Sequence, residues 1–286
     1  MTAPSDEPLD VLHLGRPNVI CCHRVGDVLV DPGPQSCEAA LLAALGDRVP
    51  QAILLTHIHL DHAGATGALV RRWPHLVVAV HARGARHVAD PSKLVASATR
   101  LYGEDMDRLW GEIVPVPEDR LIVLEGGETL DGWGDDGPWH VAYTPGHAQH
   151  HVSYLHVPSG TVYAGDVAGV RIGDGPIMPP TPPPDIDLEL WRASLDTIEA
   201  WEPRRLAITH FGTYEDPPRH LADLRDALDR LGGWSRDHDA AEFERLVRAW
   251  ITERVGRERA ESYFQGMPPD ALYPGLARYW ATRTGT

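Results

Sequence analysis

The sequence predicts an α/β fold, and three observations predict it. Short apolar, β-branched runs recur with turn residues between them; in the first half several alternate with segments of helical spacing; and from His220 onward only helical patterns remain.

Strands are expected at residues 11–14, 19–22 and 28–30, the last ending at the turn-forming Asp31-Pro32-Gly33. Residues 36–45 have apolar spacing near a helical repeat and read as a helix stopped at Gly46. Residues 52–55 are a wholly apolar strand that runs straight into Thr56-His57. Residues 62–73 read as a helix ended by Pro74, and 76–80 as the next strand. A strand apolar on both faces suits a sheet interior covered on both sides. Residues 82–116 are mostly helical in pattern. Strands resume at 121–124, 128–130, 140–143, 152–156 and 161–164, the last three spaced as in an antiparallel meander. Residues 172–184 form a Gly/Pro-rich loop holding Pro179-Pro180-Thr181-Pro182-Pro183-Pro184, read as a rigid connector. A helix follows at 188–201 and a strand at 206–208. Amphipathic helices at 221–231 and 243–255 come next, with breaks expected at Gly232-Gly233 and Met267-Pro268-Pro269. No repeat of solenoid period is present.

Composition narrows the chemistry. The 26 basic residues stand against 41 acidic ones, a net charge of −15 that repels a phosphate backbone and weighs against a nucleic-acid partner. Lys93 is the one lysine in the sequence, which leaves Schiff-base and P-loop chemistry without their essential side chain. Cys21, Cys22 and Cys37 make neither an even disulfide framework nor a zinc-type spacing, and read as buried thiols in a reducing compartment. Residues 1–10 are polar, acidic and proline-bearing, without the basic and apolar regions of a secretory signal, and no run approaches the ~20 apolar residues of a membrane helix. A cytoplasmic protein with no membrane partner is expected.

The decisive segment is Thr56-His57-Ile58-His59-Leu60-Asp61-His62, directly after an apolar strand. In extended chain, residues two apart point the same way, so His57 and His59 can meet one metal; Asp61 and His62 then project from the turn toward a helix. Imidazoles and a carboxylate packed this closely suit zinc, manganese or iron. Three further ligand-type residues each end a strand-like run: His147 in Thr144-Pro145-Gly146-His147, Asp166 in Ala164-Gly165-Asp166, and His210 in Thr209-His210. Taken singly, each of these is more often structural. Their order behind the first cluster is what gives them weight.

This set of motifs resembles the metallo-β-lactamase superfamily, over residues of about 11 to 215. The resemblance implies a four-layer αββα sandwich over residues 1–215, with a C-terminal helical extension over 216–286 packed on it. It implies two divalent metal ions, zinc first with Mn2+ or Fe2+ as alternatives. His57, His59 and His147 would hold one ion, and Asp61, His62 and His210 the other, with Asp166 bridging both. The implied activity is hydrolysis of a small-molecule ester, thioester or lactone by a metal-bridging hydroxide, which Asp61 would orient as the catalytic carboxylate.

Residue types at these positions separate the branches of the superfamily. True β-lactamases usually lack the bridging aspartate that Asp166 would supply. Flavodiiron proteins typically carry Glu where this chain has His59, and append a flavodoxin domain that this sequence does not contain. Nuclease branches share the first motif, but the charge opposes them. A glyoxalase II would bind glutathione through late Lys, Arg and Tyr residues; no lysine is present there, and Arg219, Arg225 and Arg245 match no such pocket. A small-molecule acyl substrate remains, as does one alternative, a mononuclear iron persulfide dioxygenase. A homodimer is left open. Tyr214, His150 and His151 are candidate proton donors, and Tyr102, Trp110, Ile177 and Met178 candidate pocket walls.

Overall fold

The computed structural model describes residues 7–133 and 137–283. Residues 1–6 of the segment read for a targeting signal lie outside them. The first sheet contains β1 (Glu7–Asp10), β2 (Cys21–Val25), β3 (Val28–Val30), β4 (Ala52–Leu54), β5 (Val77–His81) and β6 (Leu121–Leu124), side by side in chain order. Its first two pairings are antiparallel and the rest parallel. The second sheet contains β7 (Thr129–Leu130), β8 (Trp139–Tyr143), β9 (Val152–His156), β10 (Thr161–Tyr163), β11 (Arg205–Ile208) and β12 (Gly212–Tyr214). All its pairings are antiparallel except the parallel β10–β11 pair.

The helices are α1 (Glu38–Leu45), α2 (Leu60–Ala63), α3 (Thr66–Arg72), α4 (Ala82–Ala89), α5 (Ser92–Tyr102), α6 (Met106–Leu109), α7 (Leu188–Glu199), α8 (Pro217–Asp237), α9 (Ala240–Gly266) and α10 (Pro269–Arg283). Strand periodicity explains the layers. Val28, Val30, Ala52 and Leu54 face the second sheet and pack with Trp139, Val141, Tyr154 and Tyr163 in one core. The intervening Leu29 and Ile53 face the other way and pack against Leu41, Leu45 and Leu69 of α1 and α3. On the far side Val162, Leu206 and Ile208 join Trp191, Leu224, Phe243 and Leu276 from α7 to α10. The αββα sandwich is therefore present, and the C-terminal helices share a core with its second sheet.

Several boundaries differ from expectation. Residues 11–14 are not a strand: the Asp10 carboxylate accepts from the N–H groups of Leu12 and Asn18 (2.9 and 2.8 Å), curling the chain into a turn. The helix expected over 62–73 is split into α2 and α3 at Gly64-Ala65. Gly232-Gly233 does not interrupt α8; Gly232 instead lets Leu188 approach the helix backbone. The break at Met267-Pro268 is present, and Gly256, at φ 77°, adds one inside α9. All three cysteines are free and buried. Among the described residues no helix is long and apolar enough to cross a membrane.

Helix α8 is tied to the second sheet by a polar contact. His220 Nε2 donates to the Ala168 carbonyl (2.7 Å) and its Nδ1 accepts from Arg171 (3.3 Å), which pairs with Asp216 at 2.8 Å. Burial first, and then the Arg171 charge, hold this imidazole down at about 4, below its ordinary 6.5, against the Ala168 carbonyl, Asp216 and Asp223. The unfolded chain therefore takes up a proton that the fold refuses. Stability present above pH 6.5 is lost as pH falls toward 4, at ~1.4 kcal/mol per pH unit. His220→Gln keeps a donor for Ala168 and removes this titration. The gap in unfolding free energy between wild type and variant should narrow by about 3 kcal/mol between pH 7 and 4, read by urea denaturation; a gap constant with pH contradicts the assignment.

Candidate metal centre

Chain direction brings the site together. β3 and β4 are parallel in one sheet, and β8, β10 and β11 run one way in the other, so their C-terminal ends meet at one edge of the sandwich. The sheets are joined there: Cys21 N–H donates to Thr209 O (2.9 Å), Val152 N–H to Thr56 O (2.8 Å), and the Tyr154 hydroxyl to Leu55 O (2.8 Å). His57 and His59 leave β4, and α2 turns Asp61 and His62 back toward them. The glycines before two ligand-type residues are required. Gly146 and Gly165 have φ of 132° and 45°. A Cβ on Gly146 would lie 2.3 Å from Trp191 Cα, and one on Gly165 2.4 Å from Thr56 Oγ1.

All seven residues singled out in the sequence converge. His57, His59, His147 and Asp166 form one set able to hold a metal ion, and Asp61, His62 and His210 another. In the first, His59 Nδ1 lies 3.0 Å from both His57 Nε2 and His147 Nε2. In the second, His210 Nε2 lies 3.3 Å from Asp61 Oδ2. Asp166 touches both: its Oδ2 is 3.4 Å from His147 Nε2, and its Oδ1 is 3.2 Å from His62 Nε2 and 3.7 Å from His210 Nε2.

The donor chemistry fits a cation. Four imidazoles are oriented by bonds on their outer nitrogens: His147 Nδ1–H donates to Pro180 O (2.9 Å), His210 Nδ1–H to Val19 O (2.7 Å), His62 Nδ1–H to Asp31 (2.8 Å) and His57 Nδ1–H to Thr56 Oγ1 (3.1 Å). In its neutral form each therefore turns an Nε2 lone pair to the centre, as a metal ligand must. His62 Nε2 and Asp166 Oδ1 are buried and make no hydrogen bond. Burial holds His57 well below the ordinary imidazole value and His147 down at about 4, so both are neutral. Against burial, Asp166 and Asp61 raise His62 and His210. Against burial, too, those imidazoles hold both carboxylates well below their ordinary range. The second set thus carries ionised carboxylates that favour positive charge.

Asp31 is the residue that sequence reading missed, having been taken only as part of a turn. It is fully buried at the end of β3, at φ 51°. Its carboxylate accepts from the Thr56 N–H (2.8 Å), the Thr56 hydroxyl (2.6 Å), the Thr209 hydroxyl (2.9 Å) and His62 Nδ1 (2.8 Å). The available signal was an acidic residue closing an apolar strand that must pair beside the strand leading into His57.

Other candidates fall away. The Tyr214 hydroxyl donates to the carbonyls of Arg171 and Phe211. His151 is buried behind His57, its Nδ1 2.9 Å from Thr144 Oγ1. His150 Nδ1 accepts weakly from Ile58 N–H at 3.4 Å, and burial keeps the ring neutral. Ile177 and Met178 are core, whereas Tyr102 is partly exposed against the buried Trp110. Arg219, Arg225 and Arg245 pair with neighbouring surface carboxylates.

Residues 19–210 match the family profile described as Metallo-beta-lactamase superfamily. The chain belongs to the metallo-beta-lactamase superfamily. Among superfamily relatives, the metallo-beta-lactamase fold-containing protein ST1585 of Sulfurisphaera tokodaii is 30% identical over 209 residues, 72% of this chain and 76% of that protein. The crystal structure of ST1585, from Sulfolobus tokodaii, shares the fold with a TM-score of 0.72 at 23% identity, covering 96% of this chain and 98% of that one. A hydroxyacylglutathione hydrolase of Aeromonas hydrophila is 32% identical over 149 residues, 50% of this chain and 43% of that protein, so the chain spans under half its length. TTHA1623, crystallised in a di-iron-bound form, superposes with a TM-score of 0.51 at 26% identity, covering 74% of this chain and 93% of that one.

Replacing Asp31 with Asn should lower the stability of the fold and, in the protein that still folds, weaken metal affinity about 10–100-fold, because His62 loses the anion that orients it. Competition with a chromogenic chelator measures this, and unchanged affinity would show that the Asp31 contact does not tune the centre.

Proposed function

We propose that this chain is a dinuclear metal-dependent hydrolase of a small-molecule ester, thioester or lactone. The observation that carries the reading is the position of Asp166, whose two oxygens face two different ligand sets. In this reading His57, His59 and His147 hold one ion, Asp61, His62 and His210 the other, and Asp166 both. Zinc is the first choice on the imidazole-rich donor set, with manganese or iron as alternatives. The di-iron form of TTHA1623 supports a two-ion centre and keeps iron in view. A mononuclear iron dioxygenase has no use for a complete second set, and no observation favours it.

Two bound divalent ions would supply Lewis-acid polarisation of an acyl carbonyl and a water acidified toward neutrality. The chain's own residues do the rest. Asp61, with 20% of its side chain exposed against 5% for Asp166, is the more open of the two carboxylates. Held ionised by His62 and His210 against burial, it can accept a hydrogen bond from the attacking water and orient it. The hydrolase name of the Aeromonas relative supports acyl transfer to water, but its glutathione part is not carried over, since under half of that protein is matched. A net charge of −15 supports a small substrate over nucleic acid.

Removal of metal with a strong chelator should abolish hydrolysis of acyl esters or thioesters, and added Zn2+, Mn2+ or Fe2+ should restore it. Asp166→Ala should lower kcat/KM on the order of 1,000-fold or more. Full activity in that variant would defeat the dinuclear mechanism.

A further inference from the structure

Beside the metal centre two segments distant in sequence are locked together by aromatic contacts. The turn at His13–Gly15 lies against the end of α5 and α6: the His13 ring stacks on Trp110 (centroids 5.7 Å apart, 11° between planes), and His13 Nε2 donates to Leu109 O (3.2 Å). Tyr102 meets the other part of Trp110 edge-on, 5.2 Å away. Leu12 and Leu14 flank His13 in the chain and Leu101 precedes Tyr102; Leu12, Leu14, Leu101 and Tyr102 are 47%, 43%, 62% and 36% exposed. They are four of the nine large apolar side chains exposed among the described residues, gathered in two joined segments while the other five are spread over the sequence.

Leu12 and Leu14 both have φ of 52°, a left-handed conformation unfavourable for a branched side chain by roughly 1 kcal/mol each. Their side chains reach solvent rather than core, so packing within the fold does not offset that cost. The His13–Trp110–Tyr102 stack lies on the side of the second ligand set. The His13 ring and the Tyr102 phenol both feel the charge of Asp61. Gln265 donates to His13 O (2.6 Å), and a Cβ on the adjoining Gly266 would lie 3.4 Å from His210 Nδ1.

We infer that Leu12, Leu14, Leu101 and Tyr102, on the floor of His13 and Trp110, form an acyl subsite that takes an apolar acyl chain while its carbonyl lies at Asp61. The substrate class is then an ester or thioester of an apolar acid, not of a short polar one. This rests on the hydrolase reading for the carbonyl, whereas the apolar contact can be measured without turnover.

The test uses metal-loaded protein, p-nitrophenyl acetate and octanoate esters, and calorimetric binding of free octanoate. Wild type should prefer the octanoyl ester by at least tenfold in kcat/KM, and L12S, L14S and Y102A should each cut that ratio at least threefold and weaken octanoate binding. L190S, an exposed leucine elsewhere, should leave both unchanged. A ratio indifferent to chain length, or unmoved by the three variants in protein that melts as wild type does, overturns the subsite and leaves the hydrolase standing. Octanoate binding weakened by the variants without hydrolysis of any ester removes the hydrolase reading and keeps the subsite. Self-association lost in L12S and L14S, with no effect on octanoate, makes the patch an interface between copies of the chain and overturns the proposal.

Discussion

The Asp31 carboxylate closes the site edge of the sandwich. It sits without solvent contact where β3 ends and binds the backbone and hydroxyl of Thr56 beyond β4, the hydroxyl of Thr209 beyond β11, and His62 on α2. A buried carboxylate is tolerable only with such a set of donors, and removing any one leaves charge uncompensated in a low-dielectric interior. The same four bonds therefore do two jobs. They hold strands from opposite sheets at one spacing, and they fix the rings and turns that carry His57, His62 and His210. Fold and centre are not separable here.

Electrostatics extend the same logic outward. Seven ligand-type side chains crowd an edge where imidazole nitrogens approach one another to 3.0 Å and carboxylate oxygens face Nε2 atoms. Protein groups alone do not satisfy this arrangement, since His62 Nε2 and Asp166 Oδ1 remain without hydrogen bonds. Divalent cations would answer both deficits at once, by taking up the lone pairs and balancing the carboxylates. The outer bonds of His147 to Pro180 and His210 to Val19 show the role of the proline-rich loop and the strand-entry segment: each supplies a carbonyl that fixes a ring.

Much of this was legible in the residues. Apolar, β-branched runs bounded by turn residues marked nearly every strand, because Leu29 and Ile53 must face helices while their neighbours face the other sheet, which makes both faces apolar. The seven ligand-type positions were legible because each follows an apolar strand, and strands of one direction deliver their ends to one edge. What failed was local. Residues 11–14 read as strand because their leucines are apolar, yet Asp10 captures two backbone N–H groups and bends the chain first. Gly232-Gly233 read as a break because glycine weakens helices, yet packing against Leu188 outweighs that preference. Asp31 carried only the signal of an acidic residue closing an apolar strand, because its partners lie 25, 31 and 178 residues away and only the folded sheet pairing brings them to one carboxylate.

In the proposed dinuclear centre one carboxylate, Asp166, joins two complete ligand sets. Elemental analysis of protein purified without added metal tests it most directly, as moles of each metal per chain for wild type and Asp166→Ala. About two divalent ions per wild-type chain are expected, and clearly fewer in the variant. One ion per wild-type chain, iron above all, with no change in the variant would contradict it.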